Sequence, residues 1–388
     1  MAKRTRFDAN ALRDFLKNGW LLAFEADQIL VGWGEWSESA KPPEESFPSE
    51  RQPERLSAPQ SAPQSAQCTV YAPDFYLNDP KPWKATANWD IVSRGHFANH
   101  FLTGIGRNVN CEPLNWREPL SEDFANCWQK IQEGFRDRGL KKAVPVVFAS
   151  ATVDFSRTKS HEGLLGQILT QALELPSHLS LYGMWSENTG LFGATPEVLF
   201  SRDSVTAPIC TMALAGTRGK SRADDREVLF NDPKERHEHQ LVVDDLKGRL
   251  GTIGDVTVDS TQILELPTLF HLVTPVKACL PAGRNISFED LVRLLHPTPA
   301  LGVAPRALGF GEIRRWDPLA KERQRFGAPF GVTWQGRHHC VVAIRNVQWQ
   351  GNSLKLGSGC GVVGESEFSR EWSELGLKRE SVKRMLGL

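Results

Sequence analysis

Three things are missing from this chain of 388 residues, and each absence narrows what it does. It has no excess of charge: Lys+Arg and Asp+Glu both number 46, for a formal net charge of +0. A protein of nucleic acids or membrane surfaces would carry a basic excess to meet phosphate, so neither partner is expected. A balanced total still leaves room for a locally basic pocket that holds a small anion. The chain has no uninterrupted apolar run of about 18 residues, so no membrane span is expected. Its opening, Met1-Ala2-Lys3-Arg4-Thr5-Arg6, leads into no apolar stretch of the secretory-signal kind. It also lacks any C-x-x-C. Its seven cysteines, at positions 68, 111, 127, 210, 279, 340 and 360, are odd in number and dispersed. Buried thiols in a reducing compartment suit that pattern better than disulfides or structural zinc. A soluble cytoplasmic enzyme is the expectation.

What the chain does have is acid, clustered at helical spacing. One cluster is Lys234-Glu235-Arg236-His237-Glu238-His239; the other is Glu371-Trp372-Ser373-Glu374, with Lys378 one turn on. Residues three or four apart share a helix face, so Glu235 and Glu238 point one way together, as do Glu371, Glu374 and Lys378. Two carboxylate faces are what a hard cation such as magnesium needs beside a polyanionic substrate. Between them lies His271, flanked by Phe270, Leu272 and Val273.

The organisation is that of a large folded unit with one interruption. Residues 37–66 are rich in Pro, Ser, Gln and Glu and include Ser-Ala-Pro-Gln-Ser-Ala-Pro-Gln, a composition that buries no core and reads as a flexible loop. Helices are expected at 121–138, 164–173, 232–250, 288–295 and 369–386 from apolar periodicity. Strands are expected at 144–149, 209–216, 330–334, 340–349 and 353–360, with 190–202 as a hairpin or pair of strands. Strands joined by short turns and mixed with helices favour an α+β fold with mostly antiparallel sheets.

The order of the short motifs carries more than any one of them. Gly193-Ala194-Thr195-Pro196-Glu197 is followed by Leu214-Ala215-Gly216-Thr217-Arg218, the Glu238 helix, and His271-Leu272-Val273. Then come His296-Pro297-Thr298-Pro299-Ala300, Gly327-Ala328-Pro329-Phe330-Gly331, Ala343-Ile344-Arg345, Gly357-Ser358-Gly359-Cys360-Gly361 and the Glu371/Glu374/Lys378 helix. This series resembles the chorismate-utilising enzymes, a family that includes isochorismate synthase, salicylate synthase, anthranilate synthase and aminodeoxychorismate synthase. The resemblance covers about residues 120–386. It implies a two-lobed sheet-and-helix sandwich, with residues 1–115 as a variable segment completing the fold and 116–388 as the chorismate-binding catalytic domain.

Residue by residue, the resemblance implies that Glu238 and Glu374 hold magnesium, with Glu235 and Glu371 binding it directly or through water. It makes Glu197 the general acid for the leaving C4 hydroxyl, a role that requires a dehydrated setting to keep the carboxyl protonated. It makes His271 an active-site histidine supporting the substrate carboxylate or the leaving group. Arg345 and Lys378 hold substrate carboxylates, for which a planar guanidinium is well shaped. Gly359 and Gly361 form an anion-approaching turn, while Gly216, Thr217 and Thr298 border the ring. The His237-Glu238-His239 triplet and Ala215, at a position where aminodeoxychorismate synthases carry lysine, resemble the isochorismate synthases, which serve menaquinone or siderophore biosynthesis. One feature departs from that pattern. Water-using members carry a basic lysine just before a Val-Val-Leu strand, and here that place falls on Pro145, with Lys141 and Lys142 slightly upstream. The expectation is a magnesium-dependent isochorismate synthase acting on chorismate. The alternatives are an aminating enzyme served by a glutaminase subunit and a binding homologue without turnover.

Overall fold

The computed structural model describes residues 3–42, 68–105, 114–153, 160–317 and 320–388. Most of the expected loop, residues 43–66, lies outside them. Its first residues do not belong to a loop, because the strand Gln28–Ser39 continues through Ser37–Ser39 and pairs with Trp83–Ser93.

Seventeen strands form one hydrogen-bonded ribbon. From Val146–Thr152 it runs through Ser353–Gly359, Asn346–Gln350, Thr189–Thr195 and Ser180–Ser186 to the hairpin Gly19–Glu25/Gln28–Ser39 and on to Trp83–Ser93. It continues through Cys68–Tyr71, Pro329–Trp334, Arg337–Val342, Val198–Arg202 and Ile209–Gly219 to Leu269–Cys279. Among the described strands every pairing is antiparallel except the short Lys3–Arg4 against Trp83–Ser93. The antiparallel α+β architecture expected from the sequence is the one present.

Burial shows how the ribbon folds on itself. Trp20, Leu22 and Leu30 from its first half share a core with Val332, Trp334 and Val341 from its second, so the two sheets face each other. The outer face of the first half packs on the helices Ala9–Lys17, Arg94–Ile105 and Ser160–Leu173, through residues such as Phe15, Phe97 and Ile168. The outer face of the second packs on Pro233–Leu250 and Phe288–Leu295. Four layers result, helix–sheet–sheet–helix, in which each amphipathic element buries its apolar face.

The expected hairpin at 190–202 is corrected. Thr189–Thr195 pairs with Ser180–Ser186 and Asn346–Gln350, whereas Val198–Arg202 pairs with Ile209–Gly219 and Arg337–Val342. Pro196 and Glu197 are a corner at which the chain leaves one half of the ribbon for the other; proline, lacking an N–H, ends the first ladder there. A second crossing, Ala343–Arg345, runs beside it, tied by Val342 N–H to Glu197 O (3.0 Å) and Ala194 N–H to Arg345 O (3.2 Å). The candidate acid and the candidate anion-binding arginine thus meet at one seam.

No helix among the described residues is long and apolar enough to cross a membrane. Six cysteines, all but Cys111, are described, and each is a free thiol.

Candidate active site

The pocket opens at this seam. Glu197, His271, Arg345 and Lys378 line it together with Gly216, Thr217, Gly359, Gly361 and Glu238. Arg345 has a positive φ of 55°, a conformation that costs an arginine about 1–3 kcal/mol. The Tyr182 hydroxyl donates to Ile344 O (2.8 Å), and Asn346 Nδ2 donates to the Tyr182 hydroxyl (2.8 Å) and to Ala343 O (2.7 Å), which holds the strained turn in place. The guanidinium that results is buried, with Nη2 on His271 Nε2 at 3.0 Å and Nη1 without a partner. A buried guanidinium nitrogen without a partner, on a residue that lines a pocket, is suited to pair with an anionic group. Burial lowers the Arg345 pKa to about 10, so it stays charged at neutral pH.

The arginine also fixes the histidine. Because guanidinium only donates, His271 Nε2 must accept, and the ring proton lies on Nδ1. That nitrogen is 3.2 Å from Gly216 O, to which it donates, and 3.1 Å from Thr217 Oγ1. Burial and then Arg345 push the His271 pKa well below its usual value, so the ring is neutral. Glu197 is buried, and burial raises its pKa to about 8 against the pull of Lys142 and Lys378. A carboxyl that keeps its proton at neutral pH is the form a general acid needs.

The carboxylates sit on two helices. In Pro233–Leu250, Asp232 caps the first turn by accepting from Lys234 N and Glu235 N. The inward face then carries Glu235, Glu238 and His239 before it becomes apolar at Val242, Leu246 and Leu250. His239 fastens this charged half to the sheet through Ala215 O (3.2 Å) and Thr274 Oγ1 (2.7 Å). In Phe368–Leu386, Glu371 is buried and Glu374 half-buried. Glu235, Glu238 and Glu371 converge on one ammonium, Lys234 Nζ, at 3.1, 3.2 and 2.9 Å. Glu374 instead pairs with Lys378 at 2.6 Å, and Lys378 also donates to Gly359 O at 2.8 Å. Burial raises Glu235 and Glu371, while the Lys142 and Lys234 ammonium groups overcome burial and hold Glu238 low.

Among the described residues no three His, Cys, Asp or Glu side chains stand close enough to bind a metal as they are. The donor set nonetheless fits a hard divalent cation. It offers carboxylate oxygens alone, three of the groups already share one positive centre, and Glu371 Oε2 is buried with no partner. Gly361 is part of the fit, since a Cβ there would overlap the Glu238 carboxylate.

Two expectations come out differently. Thr298 is buried with its hydroxyl accepting from Ala300 N (3.3 Å), and it is Ala300 and Leu301 that reach the pocket. The strand expected at 144–149 begins at Val146, because Pro145 cannot continue a ladder. Ahead of it Lys142 lies in a separate three-stranded sheet, between Val303–Ala304 and Val362–Val363. The Lys142 side chain is fully buried and 3.1 Å from Glu238 Oε1, yet its nitrogen makes no hydrogen bond of good geometry. Lys141 is exposed. Sequence reasoning gave no role to Lys234 or His239, although both stand inside the motif it singled out. The i, i+4 spacing of Lys234 to Glu238 was the available signal.

The described residues thus form a four-layer α+β fold with a pocket that carries Arg345 and Lys378 beside two carboxylate-bearing helices. The chorismate binding enzyme family matches residues 107–387, and the chain belongs to it. It is 32% identical over 220 residues to isochorismate synthase MenF of Bacillus subtilis, covering 53% of this chain and 44% of that one. To isochorismate synthase EntC of Escherichia coli it is 33% identical over 206 residues, or 51% of each chain. The matched part is thus about half the length of these relatives. In structure it is similar to a putative 2,3-dihydroxybenzoate-specific isochorismate synthase, DhbC, of Bacillus anthracis, with TM-score 0.74 and 22% identity over 98% of this chain and 99% of that one. Menaquinone-specific MenF of Escherichia coli gives TM-score 0.72 at 18% identity, over 98% and 92%. At those identities the likeness concerns the fold.

Proposed function

We propose that this protein converts chorismate to isochorismate with the help of magnesium. The observation that carries the reading is Glu197, a buried carboxyl whose pKa is raised to about 8, set at the seam beside the unsatisfied Arg345 guanidinium. Chorismate carries two carboxylates and a C4 hydroxyl. In this reading Arg345 takes one carboxylate as a fork, with neutral His271 orienting the guanidinium and reaching the bound group. Glu238 and Glu374, supported by Glu235 and Glu371, hold the magnesium. When bound, that ion neutralises the second carboxylate and fixes the ring.

The protein's own groups then move the protons. Glu197 donates its proton to the C4 hydroxyl, which leaves as water while the ring double bond shifts. A second water attacks C2 and gives up its proton to solvent water. Solvent exchange then returns one proton to Glu197. One water enters for each that leaves, so the product is an isomer.

The test is direct. Purified protein is incubated with chorismate and magnesium, with and without ammonium, and the products are separated and weighed by mass spectrometry. A product of unchanged mass that needs magnesium but not ammonium is the expected result. Product that forms only with ammonium would replace this reading with the aminating one.

A further inference from the structure

Lys234 stands where local rules do not favour it. It occupies the first turn of Pro233–Leu250, the end of a helix where a cation meets the positive pole of the dipole. Its ammonium is nonetheless drawn inward, with only 15% of the side chain exposed and three buried carboxylates within 3.2 Å. These carboxylates are the ones assigned above to the metal, so the inference rests on that reading. Without Lys234 only the Lys142 ammonium, on Glu238, would offset three carboxylates in a poorly solvated site. Lys234 therefore does for the metal-free protein what the metal does for the loaded one.

We propose that Lys234 is an exchangeable internal counter-ion, which fills the magnesium cradle in the apo protein and must leave it when magnesium binds. Glu238 already meets Lys142 on one oxygen and Lys234 on the other; magnesium needs its lone pairs at close range, and of the two ammonium groups Lys234, which borders a cleft, rather than the fully buried Lys142, is the one able to leave. The way out is visible. Lys234, Glu235, Glu371 and Glu374 line a second cleft that opens to solvent past the exposed Glu365 and Glu367. The ammonium can swing along this cleft toward those two carboxylates while its helix stays in place. The device keeps the carboxylate cradle shaped without metal, at the cost of weakened metal affinity.

The experiment is a magnesium titration by calorimetry on chelator-treated wild-type protein, Lys234→Met and Lys234→Arg, with thermal melts of each. Lys234→Met is expected to bind magnesium at least tenfold more tightly, to melt lower than wild type without metal, and to gain more on adding it. Lys234→Arg keeps the charge and holds the carboxylates with a fork that is harder to displace, so its magnesium affinity is expected to fall about tenfold. Magnesium affinity in Lys234→Met equal to or weaker than wild type would overturn the inference, since Lys234 would then be a permanent member of the site. Should Lys234→Met not fold, unchanged or tighter magnesium binding by Lys234→Arg would overturn it equally. If wild type binds no magnesium, the metal reading itself falls and takes this inference with it.

Discussion

At the scale of single residues the site works by withholding solvent from charge. Glu197 keeps its proton to about pH 8 because burial disfavours the carboxylate. Activity limited by this acid is therefore expected to fall as one proton is lost above about pH 8, and a kcat/KM profile against pH reads it directly. Glu197→Gln keeps the shape and removes the proton. Turnover is expected to drop by about 10²–10⁴-fold, and an active variant would remove Glu197 from the role. The same substitution should stabilise the fold, and the direction follows from linkage. Between the ordinary carboxyl value and about 8 the unfolded chain gives up a proton that the folded chain keeps, so wild-type stability declines as pH rises through that window. The glutamine variant has no such loss, and its melting temperature should move above that of wild type from about pH 5 to pH 8, by an amount worth at most about 5 kcal/mol. Lys142 gives the complementary test. Its ammonium pulls the Glu197 pKa down against burial, so in Lys142→Met the alkaline limb of the kcat/KM profile is expected to move to higher pH, and an unmoved limb would show that Lys142 does not act on Glu197.

At the scale of elements, what the sequence made legible was whatever periodicity or capping records. The helices at 121–138, 232–250, 288–295 and 369–386 lie within a residue or two of their expected bounds, because each carries an apolar stripe, two of them behind a side-chain cap, at Asp232 and Ser287. The carboxylate pairs were legible for the same reason, as i, i+3 spacing on those helices. Strand partners were not legible. Pro196-Glu197 reads locally as a turn, and only the pairings of Thr189–Thr195 and Val198–Arg202 with different neighbours make it a crossing. The setting of Lys142 was not legible either, because Pro145 ends the ladder and lets the short strand Lys142–Ala143 stand apart. The glycine turn after Ser353–Gly359 yields a further prediction. Gly361→Ala leaves the ladders intact but sets a methyl group against the Glu238 carboxylate. Its circular dichroism should match wild type, while the magnesium concentration for half-maximal activity rises about tenfold or more; an unchanged magnesium requirement would show that Glu238 is not a ligand.

At the scale of the whole molecule, the site exists because one ribbon of strands folds back and its two halves exchange the chain at a shared seam. The N-terminal strands are what join those halves. Gly19–Glu25 pairs with Ser180–Ser186, Gln28–Ser39 pairs with Trp83–Ser93, and Cys68–Tyr71 carries the ladder on to Pro329–Trp334. Trp20 is buried, with its indole N–H on Thr86 Oγ1 at 2.9 Å, and packs between the sheets with Leu22 and Leu30. The family match begins only at residue 107, which invites the view that 107–388 is a catalytic domain able to stand alone. The pairings argue otherwise. Removal of residues 1–106 would leave Ser180–Ser186 and Pro329–Trp334 as open edges and bare the apolar faces that Trp20, Leu22, Leu30 and Val70 cover. Unpaired edges beside exposed apolar surface are the conditions for aggregation rather than folding. A chain of residues 107–388 is therefore expected to be insoluble, or to lack a cooperative thermal transition, where the full chain melts cooperatively. A soluble fragment with a sharp melt and chorismate affinity would show instead that the N-terminal strands are an accessory layer, and that the seam holds together through Pro196–Glu197 and Ala343–Arg345 alone.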